Sequence, residues 1–195
     1  MSNLFKNLEY EAFRNGITPR TQQSREWFRS KAAALGKKVN RSELMKEEEI
    51  LIKNRTVIGS MCMFFYDPKH KEVLPFYDRF PLTIIVGPAA GGFYGLNLHY
   101  LPPTLRARFL DGLMETASNS RYDDTTKFKI SYDYMQKASK MKYFKPCFKH
   151  YLSEQVRSRF AFVPAPEWEI ATFLPSADFA KVSTREVYRS SRSMI

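Results

Sequence analysis

The residues of this chain whose chemistry could be reactive are few. They are the carboxylates Asp67, Asp78, Asp123 and Asp124, the histidines His70, His99 and His150, and the thiols Cys62 and Cys147. A metal-dependent nuclease needs acidic side chains that converge on a divalent ion. Here Asp67 precedes Pro68 and Asp123 adjoins Asp124, patterns that belong to turns. No acidic pair is followed by a strand-borne acid-x-Lys arrangement. The histidines lack the short spacing that metal sites use. His99 reads as a structural histidine within a strand, and His70 lies in the charged turn PKHKE. No pattern supports pairing either thiol with His99 or His150 as nucleophile and base. The Gly91-Gly92 pair has neither the spacing nor the lysine of a phosphate-binding loop. The sequence predicts no catalytic set, no metal site and no cofactor.

What remains is binding chemistry. The 195 residues hold 31 Lys and Arg against 20 Asp and Glu, for a net charge of +11, with a pI near 9.6. That balance is the electrostatic footprint of a protein that works beside a polyanion. Aromatic content is high at 15%, with 16 Phe and 11 Tyr. Charge and aromatics meet between Lys127 and Arg159, where Phe128, Tyr132, Tyr134, Tyr143, Phe144, Phe148 and Tyr151 interleave with cations. Lys137, Lys140, Lys142, Lys145, Lys149, Arg157 and Arg159 are the candidate nucleic-acid contacts. Cations neutralise phosphates and release counterions. Aromatic rings could stack on exposed bases. The spacing of Phe144, Phe148 and Tyr151 is helical, which assigns most of these rings to the core and leaves the lysines free.

The elements that must position these groups can be read along the chain. Residues 1–20 read as an arm with one short helix. Thr21 or Ser24 opens a helix through Leu35, with Trp27, Phe28, Lys31 and Leu35 on one face and Gly36 as its C-cap. Ser42 starts a second helix that fades by Asn54. Strands follow at Val57–Tyr66, at the apolar run Phe80–Val86, which fits a strand covered on both faces, and at the alternating run Phe93–Tyr100, which fits a half-buried one. Pro102-Pro103 sets the first turn of a helix whose core face is Leu105, Phe109, Leu113 and Met114, with Arg106, Arg108 and Asp111 mostly away from it. A short strand is expected at 127–131, helices near 132–140 and 146–157, a strand at 168–174, and one or two helical turns from Asp178 to Tyr188.

The fold expected is α+β: a small, mostly antiparallel sheet or partial barrel from about residues 57–100, 127–131 and 168–174, flanked by helices, with an arm at each end. The divisions expected are 1–55 for the N-terminal arm and helices, 56–188 for the core domain and 189–195 for the tail. Two distant cysteines do not make a disulfide framework, so both read as reduced, buried thiols. The N-terminal segment lacks the apolar core of a signal peptide, and no run approaches the length of a membrane span. Together these place the protein in a reducing interior, with no membrane contact.

Six phrases carry a resemblance over most of the chain: ITPRTQQSREWFR, MFFYDPKHKEVLPFYDRFPL, GGFYGLNLHYLPPTLRARFLD, SRYDDTTKFKISYDY, FKPCFKHYLSEQVRSRF and PEWEIATFLP. They resemble a family of T4-like tailed phages whose members are described as DNA end protectors. The resemblance implies a non-enzymatic virion protein, bound to the termini of packaged linear double-stranded DNA and shielding them from host exonuclease. It also implies other phage virion proteins as partners, and the host cytoplasm as the place of assembly. A neck, tail or baseplate subunit acting through protein contacts is the alternative, and a metal-dependent nuclease a more distant one. No site residue is carried over from the family.

Overall fold

The structure, a computed structural model, describes residues 4–36, 39–46, 51–53, 58–117, 133–134, 137 and 141–194. Its centre is an open six-stranded sheet, in the order β1-β7-β2-β4-β5-β6, in which every pairing is antiparallel. The strands are β1 (Leu51–Lys53), β2 (Met61–Met63), β4 (Leu82–Ala89), β5 (Gly92–Asn97), β6 (Phe148–Leu152) and β7 (Phe160–Phe162). A second, two-stranded sheet joins β3 (Tyr77–Asp78) to β8 (Phe179–Ala180). The described helices are α1 (Leu4–Arg14), α2 (Gln22–Leu35), α3 (Arg41–Leu44), α4 (Pro103–Ala117), α5 (Trp168–Phe173) and α6 (Thr184–Ser193). This is the expected α+β class. None of the described helices is long and apolar enough to cross a membrane.

Both faces of the sheet are covered. Strands alternate their side chains between faces, and here each set meets a different partner. Met61, Met63, Leu82, Ile84, Val86 and Leu96 join the helical side chains Phe5, Leu8, Phe28, Phe109, Ile170 and Val187 in one core. Cys62, Ile85, Phe93, Tyr151, Phe160 and Phe162 form a second cluster with Phe64 and Tyr66. Phe64 sits at its middle, with ring centroids 5.1 Å from Phe160, 5.2 Å from Tyr151 and 5.8 Å from Phe93. Edge-to-face pairs of this kind add about 0.5–1.5 kcal/mol each beyond their buried area. Residues on both sides of position 55 share the first core, and β1 pairs with β7.

Local signals explain several elements directly. Thr21 caps α2 through a capping box with Ser24, and Gly36 ends it at φ +52°. The β4–β5 hairpin turns through Ala90 and Gly91, the latter at φ +69°, a backbone region that favours glycine. Beside it, Gly92 lies so close to β6 that a Cβ would fall 1.8 Å from the Tyr151 carbonyl oxygen.

Other expectations are corrected. The segment 168–174 is not a strand but the helix α5, entered through Pro164 and a 3-10 turn at Ala165–Glu167. Thr172 is accommodated there because its hydroxyl donates back to the carbonyls of Trp168 and Glu169. The helix expected near 146–157 is β6 between two 3-10 turns, Lys142–Cys147 and Ser153–Gln155. Proline at 146 removes a backbone donor, and Phe148 and Tyr151 lie on opposite faces of β6 in separate clusters. The alternating run ends at Asn97, whose side chain accepts from the His99 amide and caps a 3-10 turn at Leu98–Tyr100. The helix expected from Ser42 is the short α3, capped by Asn40, and Leu51–Lys53 is strand.

Neither arm hangs free within the described residues. Helix α1 buries Phe5, Leu8 and Ala12, and α6 buries Val187 and Ser191 behind a Ser183–Glu186 capping box. Of the helix expected near 132–140, residues 133, 134 and 137 are described and are helical. The strand expected at 127–131 lies outside the described residues.

Candidate nucleic-acid interface

The polar residues nearest to reactive chemistry turn out to be sealed inside the molecule. Asp78 Oδ2 lies 2.7 Å from His99 Nδ1, and His99 Nε2 lies 3.0 Å from Ser176 Oγ. Carboxylate, imidazole and hydroxyl thus stand in the order used for acyl transfer. Ser176, however, is 1% exposed and His99 fully buried, so no substrate carbonyl can reach the hydroxyl. The chain of bonds holds structure instead. Asp78 also accepts from Asn97 Nδ2 and from the amides of Phe80 and Asp178. Asn97 donates as well to the Tyr151 hydroxyl. His99 is therefore the satisfied structural histidine that its sequence context predicts.

Charge balance comes from arginine. Helical position alone places Arg106 on the outer side of α4, but it is 3% exposed. Its guanidinium donates to the carbonyls of Leu101, Thr172 and His99 and to the Tyr188 hydroxyl. Arg41 donates to the carbonyls of Ser176 and Ala177. Burial, reinforced by the charges of Arg106 and Arg41, outweighs the pull of Asp78 and holds the His99 imidazole below its ordinary value, so it is neutral at pH 7. Burial opposes ionisation of Asp78. The electrostatic attraction of His99, with the bonds from His99, Asn97 and the Phe80 amide, outweighs it and keeps the carboxyl below its ordinary range. Both thiols are free and buried, and burial pushes Cys147 up to about 12 and Cys62 higher still. Neither is a thiolate nucleophile at neutral pH.

Stability should accordingly fall on acidification. The folded His99 resists protonation that the unfolded chain accepts, so stability is full above the ordinary value of 6.5 and declines as pH drops below it. Asp78 adds a further loss below its ordinary 3.8. Urea unfolding followed by circular dichroism across this range measures the slope. A flat midpoint on acidification through 6.5 would contradict a neutral buried His99.

The expected cations divide into separate places. Lys142 and Lys145 stand three residues apart on a 3-10 turn, a spacing that puts both side chains on the same side. Both are exposed, as are Lys137, Arg157 and Arg159. Among the described residues, none of these five forms an ion pair with a carboxylate. Arg157 and Arg159 follow the far end of β6, about 13 Å from its start at roughly 3.3 Å per residue. The Arg157 guanidinium rests on Gln155 and the Glu154 carbonyl. Lys140 lies outside the described residues. Lys149 differs from the rest: it is half-buried, its ammonium stands 3.9 Å over the Tyr100 ring, and burial pulls it below its ordinary value.

Two further surfaces emerge only in the folded chain. Tyr94 on β5 stacks on Phe148 of β6 at 5.1 Å and meets His150 at 5.3 Å, with Tyr94 and His150 exposed. A groove of about 210 Å³ between α2 and α4 is lined by Arg25, Arg29 and Arg108, of which Arg25 pairs with Asp111. The other acidic candidates give no metal centre. Asp67 pairs with Lys71, Asp123 and Asp124 lie outside the described residues, and no described cluster of His, Cys, Asp or Glu could hold an ion.

Fold and site together define an α+β protein with a sealed polar centre and cations on its rim. The chain belongs to the family of the phage T4 terminal DNA protecting protein, whose model matches residues 2–194. No curated protein and no solved structure matches it.

Proposed function

We propose that this protein binds the ends of packaged linear double-stranded DNA in the virion without catalysing a reaction, and that its affinity comes from phosphate contacts. The reading rests on the DNA-protecting family, and one observation carries it to the site: Lys142 and Lys145 project from one side of a turn with no carboxylate partner among the described residues. Lys137, Arg157 and Arg159 are further exposed cations, and Lys140 belongs to the same stretch of sequence. Lys149 contributes less, because withdrawing its ammonium from the Tyr100 ring costs a favourable contact. Phosphate contacts position a protein without reading sequence, so one chain serves any terminus.

A titration of short blunt duplexes tests this. Binding at low salt is expected, weakening steeply as salt rises. Lys142→Ala with Lys145→Ala should lower the log–log salt slope by about 1.8, at roughly 0.9 for each phosphate no longer neutralised. No binding at low salt overturns the proposal.

Exposed aromatics on α1 favour a second activity for the same particle, contact with another virion protein. Tyr10 and Phe13, the latter 80% exposed, border a groove of about 600 Å³. Association with virion proteins that survives nuclease treatment is the expected result, and copurification with nucleic acid alone would remove it.

A further inference from the structure

Lysines alone cannot tell the end of a duplex from its middle, since phosphates run along its whole length. What an end has and the interior lacks is the outer face of a terminal base pair, an unstacked aromatic surface. We propose that Tyr94, backed by Phe148 and flanked by His150, whose ring is tilted 50° to it, forms a stacking platform for the terminal base pair of a blunt duplex, while Lys142 and Lys145 hold the flanking phosphates. The inference rests on the end-binding reading above and assigns its site.

The sheet geometry carries it. Tyr94 and His150 are direct cross-strand partners on β5 and β6, and such pairs bring their side chains together on one face. Phe148 lies two residues before His150 and so shares that face. The Tyr94 and Phe148 rings are close to parallel, 21° apart. Tyr94 is 37% exposed, so the stack ends at the surface. Strand β6 is the last of the sheet among the described residues, which pair no further strand with its outer edge. The Lys142–Cys147 turn packs against β5 and runs directly into Phe148. Residue 145 is thus about 6 Å along the turn axis from residue 148, at roughly 2.0 Å per residue. Exposed Met141 begins the same turn. Rings and cations with no carboxylate partner among the described residues therefore share one corner, and their complement is a π-face bordered by phosphates. Base–aromatic stacking tolerates any sequence, as a terminus binder requires.

The test compares a hairpin duplex that has one open blunt end with a dumbbell of the same sequence closed at both ends. Wild type should bind the open hairpin about tenfold more tightly. Tyr94→Leu combined with His150→Ala should bring that ratio to about one, with dumbbell affinity kept within about twofold. If the variant keeps the full preference, the rings are not the platform and end binding stands without them. If wild type binds both substrates equally, the end-binding reading falls and this inference falls with it. A fluorescent 2-aminopurine in the terminal pair gives a second readout on unaltered protein, should the variant fail to fold. Quenching there but not at an internal position is expected, and equal signals at both positions overturn the platform.

Discussion

Asp78→Ala is expected to cost about 3 kcal/mol or more of folding stability, since each buried donor left unpaired costs about 1–3 kcal/mol. The carboxylate receives Phe80 N at 3.0 Å, Asp178 N at 3.2 Å, Asn97 Nδ2 at 3.0 Å and His99 Nδ1 at 2.7 Å. Alanine strands all four donors where water does not reach. These donors belong to the β3 turn, the end of β5, the 3-10 turn after it and the approach to β8, so a single side chain joins the small sheet to the large one. Urea unfolding should show a lowered midpoint with an unchanged slope. DNA affinity should persist wherever the variant is folded, because Asp78 is 3% exposed and touches no rim cation. A loss below about 1 kcal/mol, the worth of one ordinary hydrogen bond, would contradict its central place.

Arg106→Leu should cost about 3 kcal/mol or more. The guanidinium serves Leu101 O at 2.8 Å, Thr172 O at 2.9 Å, His99 O at 3.4 Å and the Tyr188 hydroxyl at 2.7 Å. Each acceptor left buried and unpaired costs about 1–3 kcal/mol. The substitution also removes a cation that balances Asp78. Arg106→Lys should recover little, since an ammonium cannot reproduce the planar fork that reaches several acceptors at once. For a chain of this length the thermal midpoint should drop by roughly 6–12 °C. Proteolysis near α6 should quicken, because Tyr188 anchors that helix to α4. A lysine variant that melts with the wild type would show that the fork is dispensable.

These two side chains mark where sequence reasoning stops. Strand β4 is legible because an unbroken apolar run has to be covered on both faces. Helix α2 is legible from Thr21 and Gly36, and α4 from its opening prolines. Arg106 is misplaced by sequence because a helical wheel sends a lone cation outward. Its burial depends on carbonyls at 99, 101 and 172, which converge only in the folded chain. Helix α5 escapes detection because its aromatic and β-branched residues carry strand propensity, and packing against α1, α2 and α4 overrides that weak preference. The site divides in the same way. That the lysines at 142 and 145 are exposed follows from their charge. The burial of Lys149 and the meeting of Tyr94 with His150 follow from the pairing of β5 with β6 across more than fifty residues.

Protection of DNA ends is the most direct test of the central claim. A blunt linear duplex is exposed to a processive double-strand exonuclease, with and without saturating protein, alongside the same DNA offered through an internal gap. Degradation from the blunt ends is expected to slow in proportion to end occupancy, while digestion entering at the gap proceeds unchanged. Equal rates of degradation from the blunt ends with and without bound protein would contradict end binding as the function of this chain.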